Sequence, residues 1–256
     1  MKEAEQSTLD IQVFDRREDM GAAAGAAVEA TIERLLTKKR EIRMIFAAAP
    51  SQVELLAYLR KSSKIDWSRI VAFHMDEYIG LPQNAPQSFG NFLSAHLFDK
   101  VCFKEVHLMD TAGDSDTIGQ KAGRYGGLLT AAPIDIVCLG IGENGHIAFN
   151  DPPVADFNDP EVIKTVLLDN ACRQQQVNDG MFPALEEVPQ KALTLTIPAL
   201  LKGEHLFCVV PGTSKQRAVY NTMYAPVAEA CPATILRRHP RCKFYFDKAA
   251  YSLVKP

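Results

Sequence analysis

Seven short apolar runs recur along the chain: IQVFD (11–15), IRMIFAAA (42–49), RIVAFHM (69–75), IDIVCLGI (134–141), LTLTI (193–197), HLFCVV (205–210) and KFYFD (243–247). Several are apolar almost throughout, as strands covered on both faces are. Between them the period changes. Met20, Ala24, Ala27, Val28, Ile32 and Leu35 fall at helical spacing and predict a helix over about 17–38. Asp15 with Glu18 has the form of a capping box at its start. Ser51 with Glu54 predicts a second start, leading into VELLAYL. Further helices are expected near 87–98, 116–130 and 213–223. Strands alternating with helices predict an α/β fold, a mostly parallel sheet with helices on both faces. No repeat or low-complexity linker interrupts the pattern, so a single domain over 1–256 is expected.

The totals narrow the class. A chain of 256 residues, 47% hydrophobic and 23% charged, is an ordinary globular mixture long enough to bury a sizeable core. Its formal charge of −3 argues against nucleic acid as the main partner. The cysteines at 102, 138, 172, 208, 231 and 242 contain no CxxC pair. They read as reduced core residues of a cytoplasmic protein, not as a disulfide frame or zinc site. The polar start MKEAEQSTLD shows no signal peptide, and no apolar run approaches membrane-spanning length.

Ligands of open α/β sheets bind beyond the carboxyl ends of strands, and chemistry-bearing residues gather there. After IDIVCLGI come Gly140, Gly142 and Gly145, which allow close approach of main chain to a ligand. His146 follows, suited to proton transfer near neutral pH, with Asp151 near enough to orient its ring. A structural turn holding a hydrogen-bonded histidine fits this stretch equally well. After RIVAFHM come Asp76 and Glu77, neighbours that point to opposite sides of an extended segment. One can face a pocket as a general base while the other holds the scaffold. A metal site from His74, Asp76 and Glu77 lacks anything else to fix its geometry. In VVPGTSKQRAVY, Thr213 has the form of a helix N-cap, and Lys215 in the first turn is misplaced unless it meets an anion. FAAAPSQVELL also suits an anion at a helix start, unless Glu54 occupies those N–H groups.

Together MDEYIGLP, GHIAFNDP, VPQKALTLTI, PGTSK and the late LRRHP resemble the glucosamine-6-phosphate deaminase (isomerase) family, relatives of the 6-phosphogluconolactonases, in the right order over nearly the whole chain. The resemblance implies a modified doubly wound, Rossmann-like sheet and a deaminating isomerase. Such an enzyme converts an amino-sugar phosphate, glucosamine 6-phosphate in the first instance, to a ketose phosphate and ammonia. It implies Asp76 as the base moving a proton between C2 and C1, and His146 as the group that opens the sugar ring. Asp151 stands where the family has a glutamate orienting that histidine. Lys215 and Ser51 would meet the phosphate, residues about 155–187 would form a lid, and Glu77 with Gly140, Gly142 and Gly145 would complete the substrate site. No metal or organic cofactor is implied and the partner is a small sugar phosphate. No membrane is expected, and a homo-oligomer is left open because family members vary in assembly.

Four departures bear on substrate and rate. Asn144 replaces an aspartate two residues before the histidine, and Asp151 is one methylene shorter than glutamate. Ala47-Ala48-Ala49-Pro50-Ser51-Gln52 replaces a glycine- and threonine-rich phosphate loop. The family's lid arginine has no counterpart in Asn178-Asp179-Gly180-Met181-Phe182, leaving upstream Arg173 to compensate. An epimer such as galactosamine 6-phosphate is therefore an alternative substrate. A lactonase-type hydrolase and a non-catalytic sugar-phosphate sensor are the rival readings.

Overall fold

The sheet grows outward in both directions from its middle, and that places the ligand crevice. The computed structural model describes residues 9–254; most of the polar N-terminal stretch lies outside them. The strands are β1 (Asp10–Phe14), β2 (Ile42–Phe46), β3 (Ile70–His74), β4 (Asp76–Ile79), β5 (Glu105–His107), β6 (Ile136–Leu139), β7 (Ile163–Leu167), β8 (Lys191–Leu195), β9 (His205–Val210) and β10 (Cys242–Asp247). The helices are α1 (Arg17–Leu36), α2 (Val53–Lys61), α3 (Phe89–Leu93), α4 (Ser115–Thr130), α5 (Asn170–Asn178), α6 (Ile197–Leu201), α7 (Gln216–Tyr224) and α8 (Lys248–Tyr251). Seven parallel strands run in the order β1-β10-β9-β6-β2-β3-β5. The chain builds one way through β2, β3 and β5, then the other way through β6, β9 and β10. The crevice of such a sheet opens where those directions part, between β2 and β6.

Alternation along the strands makes two cores. Ile42, Met44 and Phe46 of β2 pack with Met20, Ala24 and Val28 of α1 and Leu55 and Leu59 of α2. Ile45, with Val137 and Leu139 of β6, faces Ile118 and Tyr125 of α4 and Val219 of α7. All of these side chains are buried, which accounts for the continuous apolar runs.

Several local expectations are corrected. Helix α1 has Arg16 at its N-cap with no side-chain cap; Asp15 pairs with Lys248 and Glu18 with Arg16. Helix α2 is preceded by a 3-10 turn at Pro50–Gln52, and Glu54 does not cap it. Its carboxylate takes the Arg17 guanidinium at 2.7 and 2.9 Å, and within the turn the Gln52 N–H donates to Ala49 O at 2.9 Å. Thr213 opens a 3-10 turn, Thr213–Lys215, behind Gly212 and makes no side-chain cap. The helix expected over 87–98 is α3 followed by a π-helical stretch, Ser94–Phe98. LTLTI lies outside the main sheet. It is most of β8, in an antiparallel three-stranded sheet ordered β4-β8-β7. Cys102 is exposed, whereas the other five cysteines are buried, and all six are free. Among the described residues no helix is long and apolar enough to cross a membrane.

Candidate active site

Four strand ends supply the walls of one cavity of about 200 Å³. The turn after β2 brings Ala47 to Ser51, the loop after β6 brings Gly140, Gly142 and His146, the loop after β9 brings Pro211 to Lys215, and the end of β3 brings Met75 and Asp76. Helix α5 adds Gln175 and Gln176, with Asp179 just beyond it, and α1 adds Arg17. Asp76 and His146 therefore share a cavity.

Asp76 sits where the chain leaves the parallel sheet for the small one. Met75 accepts a hydrogen bond from Leu195 N–H at 2.8 Å, and Asp76 pairs with Thr194 across β8. The carboxyl is only 6% exposed, and burial, with the nearby Glu77 charge, pushes its pKa well above the usual carboxylate range. Among the described residues its side chain makes no hydrogen bond. A carboxylate so raised is a stronger base than an ordinary aspartate, which suits proton abstraction.

Glu77 points the other way and is not in the cavity. It accepts from Tyr78 N–H (2.9 Å), Ser88 Oγ–H (2.8 Å), Phe89 N–H (3.0 Å) and Gly90 N–H (2.8 Å), pinning the start of α3. This corrects its expected contact with substrate. His74 is also structural: its Nε2 accepts from Met109 N–H at 2.7 Å, and burial pushes the imidazole down to about 3.

The imidazole of His146 stacks on Gly142, where an added Cβ would lie 2.2 Å from the ring. His146 Nδ1 is 2.9 Å from Asp151 Oδ1, although the ring N–H is not aimed along that line. Asp151 Oδ1 also accepts from Asn144 Nδ2 at 2.9 Å, and Oδ2 accepts from Asp169 N–H at 3.3 Å. Burial pushes the Asp151 carboxyl up, but the His146, Asn144 and Asp169 contacts outweigh it and hold the pKa low. Asn144 Oδ1 accepts from His146 N–H at 3.0 Å, so its amide ties imidazole loop to carboxylate.

The turn that carries this pair is strained and clamped. Ala148 takes φ 49°, a region costly for a residue with a Cβ. Buried Asn150 holds the turn, donating to Ile147 O (2.9 Å) and Leu195 O (2.8 Å). Gly145 (φ 87°) lies against Cys231, away from the cavity, so its expected substrate contact is replaced by a turn role. Gly140 keeps its place, with Ser51 Oγ 3.4 Å from where a Cβ would stand.

Lys215 is 5% exposed and makes no ion pair among the described residues. Burial lowers its pKa, only partly offset by the more distant Asp179 and Glu143. A buried, unpaired cation that shares the cavity with Ser51 is an anion seat. Arg173 does not contribute to it. Its guanidinium donates to Leu185 O (2.6 Å) and Val188 O (3.0 Å), fastening the loop after α5. The guanidinium at the cavity belongs instead to Arg17, which sequence reasoning missed because its position depends on how α1 packs on α2. Gln175, Gln176 and Asp179 were missed as well. Their signal was the spacing of polar residues in ACRQQQVND, three, four and seven after Cys172, the period of a helix face.

His146, Asp151 and Cys172 place one donor atom each within 4.8 Å of one another, a grouping with metal-ligand spacing that the sequence did not suggest. The Cys172 thiol is buried, and burial, with the Asp151 charge nearby, pushes its pKa well up.

Residues 15–244 match the family described as glucosamine-6-phosphate isomerases/6-phosphogluconolactonase. A glucosamine-6-phosphate deaminase of Bacillus thuringiensis (strain Al Hakam) is 35% identical over 222 residues, covering 87% of this chain and 82% of that protein. A solved monomeric glucosamine-6-phosphate deaminase superposes with a TM-score of 0.85 at 24% identity, covering 96% of this chain and all of that one. The 6-phosphogluconolactonase of Thermotoga maritima superposes at 0.75 with 20% identity, over 94% of this chain and all of that one. These two likenesses bear on the fold.

Proposed function

The chain belongs to the glucosamine-6-phosphate isomerase/6-phosphogluconolactonase family, and we propose that within it the protein is a deaminating isomerase of an amino-sugar phosphate, glucosamine 6-phosphate in the first instance. The observation that carries this reading is a single cavity holding two unpaired buried ionisable groups, the acid Asp76 and the base Lys215, with His146 on the loop after β6, a strand between their sides of the sheet. β9 and β3 are separated by β6 and β2, three inter-strand steps of about 4.8 Å each. A hexose phosphate fits across that width, its phosphate at Lys215 and its reacting carbons at Asp76.

In this reading Lys215, Ser51 and the guanidinium of Arg17 receive the phosphate. His146, oriented by Asp151, protonates the ring oxygen and releases the open aldose. Asp76 removes the C2 proton, made acidic by the neighbouring carbonyl, and returns it to C1 of the resulting enolamine. The ketimine so formed takes up water and loses ammonia, leaving the ketose phosphate. Every proton taken is returned, and one water is consumed per ammonia released. The segment 155–187 contributes α5 to the cavity, and we read it as a cover that parts to admit substrate.

The test is ammonia release from glucosamine and galactosamine 6-phosphates, beside hydrolysis of 6-phosphogluconolactone. Ammonia from either amino sugar supports the reading. Lactone hydrolysis without ammonia assigns the chain to the other branch of its family, and binding without turnover makes it a sensor.

A further inference from the structure

Helix α5 and the residue just beyond it bring three polar side chains to the cavity, and two are already engaged. Gln175 accepts from Glu143 N–H at 2.7 Å and donates to Asp179 Oδ2 at 3.2 Å, which engages both Gln175 and Asp179. Gln176 is different. It lines the cavity and is only 6% exposed, yet among the described residues its side-chain amide makes no hydrogen bond. Polar groups so enclosed ordinarily have partners.

Resting on the deaminase reading, we propose that Gln176 is a specificity-determining residue whose amide hydrogen-bonds a sugar hydroxyl, that at C3 or C4, and so selects among amino-sugar phosphates. The chemistry of the amide points to a hydroxyl. It offers one acceptor oxygen and two donor protons, matching a group that both donates and accepts. A phosphate offers acceptors alone and is served by Lys215. Asp179, three residues on and also lining the cavity, sets a carboxylate at this end that disfavours a second anion. Gln176 stands on a helix, a rigid element, so its amide meets a hydroxyl in one direction better than in the epimer's.

The test combines two removals. Wild type, Gln176→Leu and Gln176→Met are compared for kcat/KM on glucosamine 6-phosphate and on its 3-deoxy and 4-deoxy analogues. The expected result is a loss of about 10- to 100-fold for either variant on the parent sugar, with no further loss on the one analogue lacking the hydroxyl that Gln176 reads. Equal losses on all three sugars, or none on any, overturn the proposal while leaving the deaminase reading intact. Two variants guard against a packing defect peculiar to one, and unchanged melting temperatures confirm the fold. Absence of wild-type turnover on all three sugars and on galactosamine 6-phosphate overturns the deaminase reading, and the proposal with it.

Discussion

At the scale of single residues, the site is made by side chains left without partners and by a glycine that yields space. Asp76→Asn is expected to lower kcat by about 10²- to 10⁴-fold, the usual range for removing a positioned base. It also carries a stability signature. Because burial raises the native pKa of Asp76, the folded protein binds that proton more tightly than the unfolded chain. The carboxyl's contribution to stability is thus greatest below the ordinary carboxylate range and falls as pH rises toward the native value. Asparagine cannot ionise, so the variant's melting temperature should gain on wild type between pH 4 and pH 8. A difference that stays constant across that range contradicts the assignment. The same raised pKa predicts that wild-type activity falls on acidification at a pH well above that of an ordinary aspartate. Gly142→Ala makes the complementary test. Its Cβ would lie 2.2 Å from the His146 ring, so the imidazole must move, and a displacement near 1 Å costs roughly 10²-fold in kcat. Circular dichroism should show the fold retained; wild-type kcat in this variant would remove His146 from the account.

At the scale of elements, legibility in the sequence followed burial. RIVAFHM and IDIVCLGI were readable because both faces of β3 and β6 are covered. β4 was not, because DEYI opens on two acids whose burial depends on partners elsewhere in the chain: β8, and the α3 N–H groups that Glu77 accepts. β7 was hidden for another reason. In IKTVL, Lys164 and Thr165 interrupt the apolar pattern, and only Ile163 and Val166 are buried. Arg17 could not be found by local pattern, since its place depends on α1 lying against α2 with Gly21 and Gly25 at the contact. Added Cβ atoms there would lie 2.2 Å from Glu54 Cβ and 2.5 Å from the Tyr58 ring. Gly21→Val should push these helices apart, destabilise the fold by about 1–3 kcal/mol in denaturant unfolding, and raise KM for the phosphate substrate by moving Arg17 and Glu54. Stability lost with KM unchanged would detach Arg17 from the phosphate.

At the scale of the whole molecule, the two-way growth of the sheet sets the order of the chemistry. Lys215 follows β9, His146 follows β6, Ser51 follows β2 and Asp76 follows β3, four adjacent strands in that order. Motifs scattered over about 165 residues of sequence are thereby laid side by side along one crevice, as sheets of this class arrange their ligand sites. A crystal structure of the Asp76→Asn variant with bound glucosamine 6-phosphate examines that arrangement most directly. The account predicts the phosphate within hydrogen-bond reach of Lys215 and Ser51, the ring oxygen facing His146 and C2 facing residue 76. A sugar bound in the reverse sense, or outside this cavity altogether, would contradict it.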